Sequence, residues 1–474
     1  MPITTLEMTT PLSAGSHMPW WLDARFGMSL HWGLYSIPGR GEWIRSSERL
    51  SVEQYQPFFD AFAPDPGCCR EWARLAREAG AKYVVLTAKH HDGFCLWDSK
   101  LTSYTSMNTP ARRDLIREYV DALRAEGLRV GLYYSLVDWH HPDYGPAYGD
   151  RQHPLRHDAA QRELDPKRDW SRYVRYLHGQ VEELMTHYGT IDVLFFDFSY
   201  WDFAGERWGA DELMRTVRRL QPNIVVNDRL GGEEIKAASP ASWVGDFDHA
   251  EQNIPRNPVV NAHGQRVPWE AWLTLTNSWC HSIGGRCDYK SAATVVRSLV
   301  NAVSKGGNLC LNVAPDAKGH LASETVAILQ QVGKWMQSNG QSIYRCGPSA
   351  LPKPDWGRFT LSNDGRHLYA HLLEQQIGHV SLAGLRGWLE QPLVLATGKP
   401  ALLGDYWNPG VQTFDAPDDV FLNTAPPMQA TWPLPDEIDT VIRFDVVRDP
   451  ARRQQILQDM RDAFDRSMQR VPFD

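Results

Sequence analysis

The sequence lacks the features that mark several classes of protein. It has no basic excess, since 49 Lys and Arg face 57 Asp and Glu for a formal net charge of −8. The electrostatic footprint of a nucleic-acid binder is therefore missing, and no nucleic-acid partner is expected. No apolar run approaches the ~18 residues that would span a bilayer, so no membrane partner is expected either. The 7 cysteines fall at irregular spacing, and the neighbours Cys68 and Cys69 cannot easily bridge each other. That argues against a disulfide framework and against a zinc finger. The N-terminal residues show neither a basic n-region nor an apolar h-region. A cytoplasmic location is the expectation that follows.

What is present is an ordinary globular balance, with 42% hydrophobic and 22% charged residues, and an unusual stock of tryptophan. The 19 Trp outnumber both the 17 Tyr and the 16 Phe. Flat apolar faces of this kind stack on sugar rings, and they serve equally well as core filling.

Short β-rich runs alternate with amphipathic segments of helical period, the signature of βα units around a parallel sheet. The runs are 27–33, 82–90, 129–135, 193–198, 224–229, 243–247, 272–279 and 307–313. Helices are expected over 69–79, 112–126, 168–188, 211–220, 291–304 and 323–338. Near-continuous apolar strands separated by helices predict a (β/α)8 TIM-like barrel over residues 20–345, after an extension at 1–19. Beyond it the periodicity changes to alternation, which predicts a C-terminal β-sandwich at 346–449. A terminal helix and tail are expected at 450–474. Homo-oligomerisation is compatible with an acidic barrel of this size.

In a barrel, function resides where strands end, so the polar residues closing each run are the candidates. They are His31, His90 and His91, Tyr133 or Tyr134, Asp197, Asp228 with Arg229, the stretch from Asp246 to Glu251, and Asn277. Adjacent histidines on a strand point to opposite faces, so His90 and His91 make a poor metal site without a turn. The sequence has no H-x-H or HExxH spacing, and no metal or other cofactor is expected. Carboxylates among hydroxyl-binding His and Arg suit glycoside cleavage instead.

The segments FGMSLHWGLYS, GEW, AGAKYVVLTAKHHDGFCLW, RVGLYYS, VLFFD, VVNDR, DFDHAEQ and SKGGNLCLNVAP stand in this order along residues 20–345. In them the chain resembles the α-L-fucosidases of glycoside hydrolase family 29. The resemblance implies a barrel followed by a β-sandwich, and hydrolysis of terminal α-L-fucose from fucosylated oligosaccharides or glycoconjugates. It further implies retention of configuration by double displacement, without metal. It makes Asp197 of VLFFD the nucleophile and Glu251 of DFDHAEQ the acid/base. His31, Glu42, Trp43, His90, His91, Tyr133 and Arg229 become the fucose-binding shell, and Trp279 the aromatic against the sugar's C6 methyl. Phe195 replaces a Trp common in the family, and Cys280 with His281 replaces its usual Gly-Tyr. Glu42 and Glu270 compete with Glu251 for the acid role. Glu270 is expected just ahead of the seventh strand, at the stability end of the barrel.

Overall fold

Seven of the eight expected runs overlap a strand, an eighth strand forms just after the expected 243–247, and all eight pair in parallel in the order β5-β4-β3-β2-β1-β8-β7-β6. In this computed structural model they are β1 (Phe26–Leu30), β2 (Tyr83–Lys89), β3 (Arg129–Ser135) and β4 (Val193–Asp197), followed by β5 (Val225–Val226), β6 (Asp248–Glu251), β7 (Trp269–Thr274) and β8 (Asn308–Val313). The structure describes residues 15–145, 150–200, 203–232, 234–283, 288–375, 380–404, 418–423 and 434–468. Most of the expected extension at 1–19 and the last residues of the expected tail lie outside these.

The curled sheet closes at its weakest strand. β5 has only two residues, and a single parallel bridge from Asn227 to Phe247 joins the β5 edge to the β6 edge. Gly245 makes that approach feasible, because a Cβ there would lie 2.4 Å from the Asn227 backbone. Two sequence expectations are corrected at this side. The sixth strand is not 243–247 but Asp248–Glu251, and the seventh begins at Trp269 rather than 272. The reason is pairing: Asp246 is held outside the strand, accepting from Val226 N and Arg218 Nη2, and β6 aligns Asp248 with Trp269.

Inward-facing residues fill the barrel. Tyr83 and Val85, Tyr133, Val193 and Phe195, Val225, Phe247, Trp272 and Cys310 form one buried cluster. The helix Pro19–Ala24 plugs its lower end with Trp21, whose ring lies 4.6 Å from that of Phe247. Helices Cys68–Ala79, Leu115–Ala125, Trp170–His187 and Ala210–Leu220 cover the outside, close to their expected bounds. Asp114 and Asp169 cap two of them by accepting from first-turn N–H groups.

Among the described residues, Ala292–Gly306 and the residues from Lys334 onward form a second compact unit. It holds an antiparallel six-stranded sheet of β9 (Cys346–Gly347), β10 (Gly357–Ser362), β11 (His367–Leu372), β13 (Leu389–Val394), β14 (Lys399–Pro400) and β17 (Thr440–Val446). A three-stranded sheet of β12 (Val380–Leu382), β15 (Leu402–Gly404) and β16 (Val420–Asn423) completes it. Leu361, Leu368, Leu382, Leu422, Ile442 and Phe444 lie in their common core. A TIM-like barrel plus C-terminal β-sandwich is the architecture, with a terminal helix at Pro450–Met468. No described helix is long and apolar enough to cross a membrane.

Candidate active site

The ten residues to which the resemblance gives a role line one cavity at the C-terminal ends of the barrel strands, whereas the candidates Tyr134, Asp228, Asp246, Asn277 and Glu270 do not line it. His31 follows β1, and Glu42 and Trp43 come from the loop after it. Tyr133 lies near the end of β3, Asp197 is the last residue of β4, and Arg229 follows β5. Glu251 ends β6, while Trp279 follows β7.

His90 and His91 correct an expectation. β2 stops at Lys89, so the two histidines sit in a turn and not on opposite faces of a strand. Their ring centroids are 4.1 Å apart, and both line the cavity. Gly93 permits this turn with φ 85°, and a Cβ there would strike Asp138 Oδ1. Asp138 in turn accepts from His140 N and His141 N, and from the buried Lys89 Nζ at 3.3 Å. Among the described residues no group of three or more His, Cys, Asp or Glu is disposed to hold a metal ion.

Asp197 is the most heavily engaged carboxylate of the cavity. Tyr133 OH donates to Oδ2 at 2.6 Å, and Arg229 Nη1 and Phe198 N donate to Oδ1 at 2.6 and 2.8 Å. His91 Nε2 lies 3.8 Å from Oδ2. Burial works to raise the pKa of this carboxyl, but the Arg229 guanidinium, His91 and the donated hydrogen bonds outweigh it and hold the group well below the ordinary carboxylate range. Asp197 is therefore ionised at neutral pH. Among the described residues it makes no helix-capping contact, the alternative use of a strand-end carboxylate.

Arg229 joins the two carboxylates. Its Nη2 donates to Glu251 Oε2 at 2.6 Å while Nη1 holds Asp197. Burial disfavours its charge, yet Asp197 and Glu251 keep it charged. Its sequence neighbour Asp228 is engaged elsewhere, accepting from Ile235 N at 2.7 Å and Gly245 N at 3.2 Å. The residues after both carboxylates, Phe198 and Gln252, have φ of 78° and 51°. Such left-handed backbone at non-glycine residues costs about 1–3 kcal/mol each and persists where surrounding structure enforces it.

The histidines of the wall are neutral. Burial lowers His31 and His91 to about 4, and holds His90 and His249 well below the usual imidazole value. His31 Nδ1 is tied to Asn312 Oδ1 and His91 Nδ1 to Ser135 Oγ, each at 2.7 Å. Glu42 behaves differently from Asp197. Burial pushes its carboxyl up to about 7, Glu251 adding to the rise and the Cys280 thiol opposing it.

Glu270 is not in the cavity. It lies within β7, near that strand's start, rather than ahead of it. Fully buried, it accepts from Tyr83 OH and from Trp272 Nε1, and burial raises it to about 7.

The cavity also contains Phe198, Tyr200 and Trp272, which sequence reasoning missed, and Phe195 and His249, to which it gave no role. Their signal was period-2 alternation. His249 stands two residues before Glu251 on β6, and Phe195 two before Asp197 on β4, so each pair shares a face. Placing β6 too early concealed the first pair.

Paired carboxylates at a barrel mouth, among indole, imidazole and phenol side chains, are the equipment of sugar-bond cleavage; the class that this fold and cavity define is the glycoside hydrolases. The family model described as alpha-L-fucosidase matches residues 6–341. Rat tissue alpha-L-fucosidase is 32% identical over 359 residues, 70% of this chain and 71% of that protein. Alpha-L-fucosidase isoenzyme 1 from Paenibacillus thiaminolyticus superposes with a TM-score of 0.85 at 51% identity, covering 91% of this chain and 99% of that one. A family 29 alpha-L-fucosidase from Bacteroides thetaiotaomicron, solved as a trapped covalent intermediate with 2-fluoro-fucosyl fluoride, does so with a TM-score of 0.76 at 27% identity, covering 94% and 100%. The chain belongs to the alpha-L-fucosidases of glycoside hydrolase family 29.

Proposed function

We propose that this alpha-L-fucosidase is an exo-acting, retaining enzyme that removes terminal α-L-fucose from fucosylated oligosaccharides or glycoconjugates by double displacement. The observation that carries the reading is the placement of an ionised Asp197 beside Glu251 on a single guanidinium. A retaining pair stands about 5–5.5 Å apart, against roughly 6.5–9.5 Å for an inverting pair. A bridge through one Arg side chain holds both carboxylates on the same side of the cavity. The covalent intermediate of the Bacteroides relative supports the same mechanism.

In the first step an Asp197 carboxylate oxygen bonds to the anomeric carbon as the glycosidic bond breaks, and Glu251 in its acid form gives the leaving oxygen a proton. In the second step Glu251 takes a proton from water, whose oxygen attacks the anomeric carbon and frees Asp197. Neutral His31, His90 and His91 suit hydroxyl groups as uncharged hydrogen-bonding partners, with Glu42, Trp43, Tyr133 and Arg229 completing the fucose shell. Trp279, whose ring lies 5.0 Å from that of His31, is assigned to the C6 methyl. These steps use no metal. On this reading catalysis belongs to the segment 20–345, which contains every residue just named.

The test is the anomer first released from an aryl α-L-fucoside, followed by proton NMR. Retention requires α-L-fucose initially, and β-L-fucose would exclude double displacement. One observation favours a second reading of the acid. Glu42, raised to about 7, holds its proton in the range where a general acid works, so it competes with Glu251 for that step.

A further inference from the structure

We propose that the ring of Tyr200 is the platform on which the leaving-group sugar stacks, a subsite for the residue to which fucose is attached. The inference rests on the assignment of Asp197 and Glu251 above. The inner wall of the cavity is closed by buried rings, those of Tyr133, Phe195 and Trp272, and by His31. The leaving group must therefore lie toward the open side, where the site residues are accessible. Two of them are: the Glu251 side chain is 42% exposed and Tyr200 is 39% exposed.

The position of Tyr200 relative to the reacting bond is fixed, not incidental. Its ring makes a T-shaped pair with that of Phe198, centroids 5.3 Å apart and planes at 86°, and Phe198 is the residue next to Asp197. The Arg229 guanidinium carbon lies 5.7 Å from the Tyr200 ring centroid. That same guanidinium holds both carboxylates, so one group sets the phenol ring, Asp197 and Glu251 in a common frame. The ring is thus registered to the bond that breaks, while two-fifths of its surface remains open.

The chemical class of the occupant follows from the platform. A pyranose presents a face of C–H bonds that packs against an aromatic face, leaving its hydroxyls at the edge for water. Such stacking needs a ring in the leaving group. It is lost with a leaving group that has none.

The experiment compares kcat/KM for a fucosylated disaccharide with kcat/KM for α-L-fucosyl fluoride, whose leaving group has no ring. In Tyr200→Ala the disaccharide-to-fluoride ratio should fall about three- to tenfold, the range of a single aromatic contact. Tyr200→Phe, which keeps the ring, should restore the wild-type ratio. An unchanged ratio in Tyr200→Ala would overturn the proposal, including the case where both rates drop together because the ring only supports Phe198 and Arg229. A Tyr200→Phe ratio as low as that of Tyr200→Ala would also overturn it, by placing the effect in the hydroxyl. Failure of the underlying assignment looks different: Asp197→Ala would then retain wild-type turnover of the fluoride.

Discussion

At the barrel mouth His91 Nε2 lies 3.8 Å from Asp197 Oδ2, beside a cavity. In the C-terminal unit His371 Nδ1 lies 2.7 Å from Asp439 Oδ2, with no solvent exposure of either side chain. Thr360 Oγ1 stands 3.0 Å from the other nitrogen of His371, so hydroxyl, imidazole and carboxylate adopt the order of a hydrolytic triad. The hydroxyl, however, donates to Ser342 O at 2.8 Å, and Thr360 is wholly buried. Its proton is committed to the backbone and no substrate can reach it. The same residue types therefore form a cross-strand tie between β10, β11 and the residue before β17, and a pair that lines a cavity at the end of β4. The difference is not in the residues but in what the surrounding fold leaves open.

That contrast can be broken most severely at Asp197. Asp197→Ala should lower turnover by at least about 10⁴-fold, because in the proposed double displacement this carboxylate forms the bond to the anomeric carbon. Added azide should restore part of it as β-fucosyl azide, detectable by NMR; wild-type activity in the variant would place the nucleophile elsewhere. Glu251→Ala should come next, slowing fucosides with poor leaving groups by about 10²–10⁴-fold while largely sparing the first step with good ones. Leaving-group dependence across an aryl series checks this, and a uniform loss would shift the acid to Glu42.

In the C-terminal unit the expected effect is on stability instead. Asp439→Ala leaves His371 Nδ1 buried without its partner and should cost about 1–3 kcal/mol, read as a lower urea midpoint. The specific activity of the folded protein should stay within about twofold, since the site residues all lie in the other unit. A loss of activity equal to that of Asp197→Ala would erase the distinction between the two pairs.

The smallest effect is pH-dependent. The folded state raises Glu42 from its ordinary value near 4.5 to about 7, so it binds more protons there than the unfolded chain. Ionising Glu42 therefore costs stability progressively as pH rises through that window, and the cost is complete above about 7. Glu42→Gln removes this term. The variant's melting temperature relative to wild type should climb between pH 4.5 and 7 and then level off, and a constant difference would show that Glu42 titrates normally.

The barrel and ten of the residues lining its cavity were legible in the sequence, while Phe198, Tyr200 and Trp272 of the same lining were not. Strands such as β2, β3, β4 and β8 read clearly because strands covered on both faces are continuously apolar, and the polar residues that end them mark the functional rim. The motif resemblance added roles to residues that all line the cavity, which spacing alone could not do. Tertiary structure decided the rest. β5 and β6 are short and held by few backbone pairs, so where β6 begins depends on Asp246 leaving the sheet, a contact between distant segments. The shared orientation of His90 and His91 depends on a turn packed against Asp138. That Arg229 bridges Asp197 and Glu251, passing over its neighbour Asp228, follows from three strand ends converging at one mouth. Local sequence specifies what a strand can bury; which side chains meet across a barrel is set only when the sheet closes.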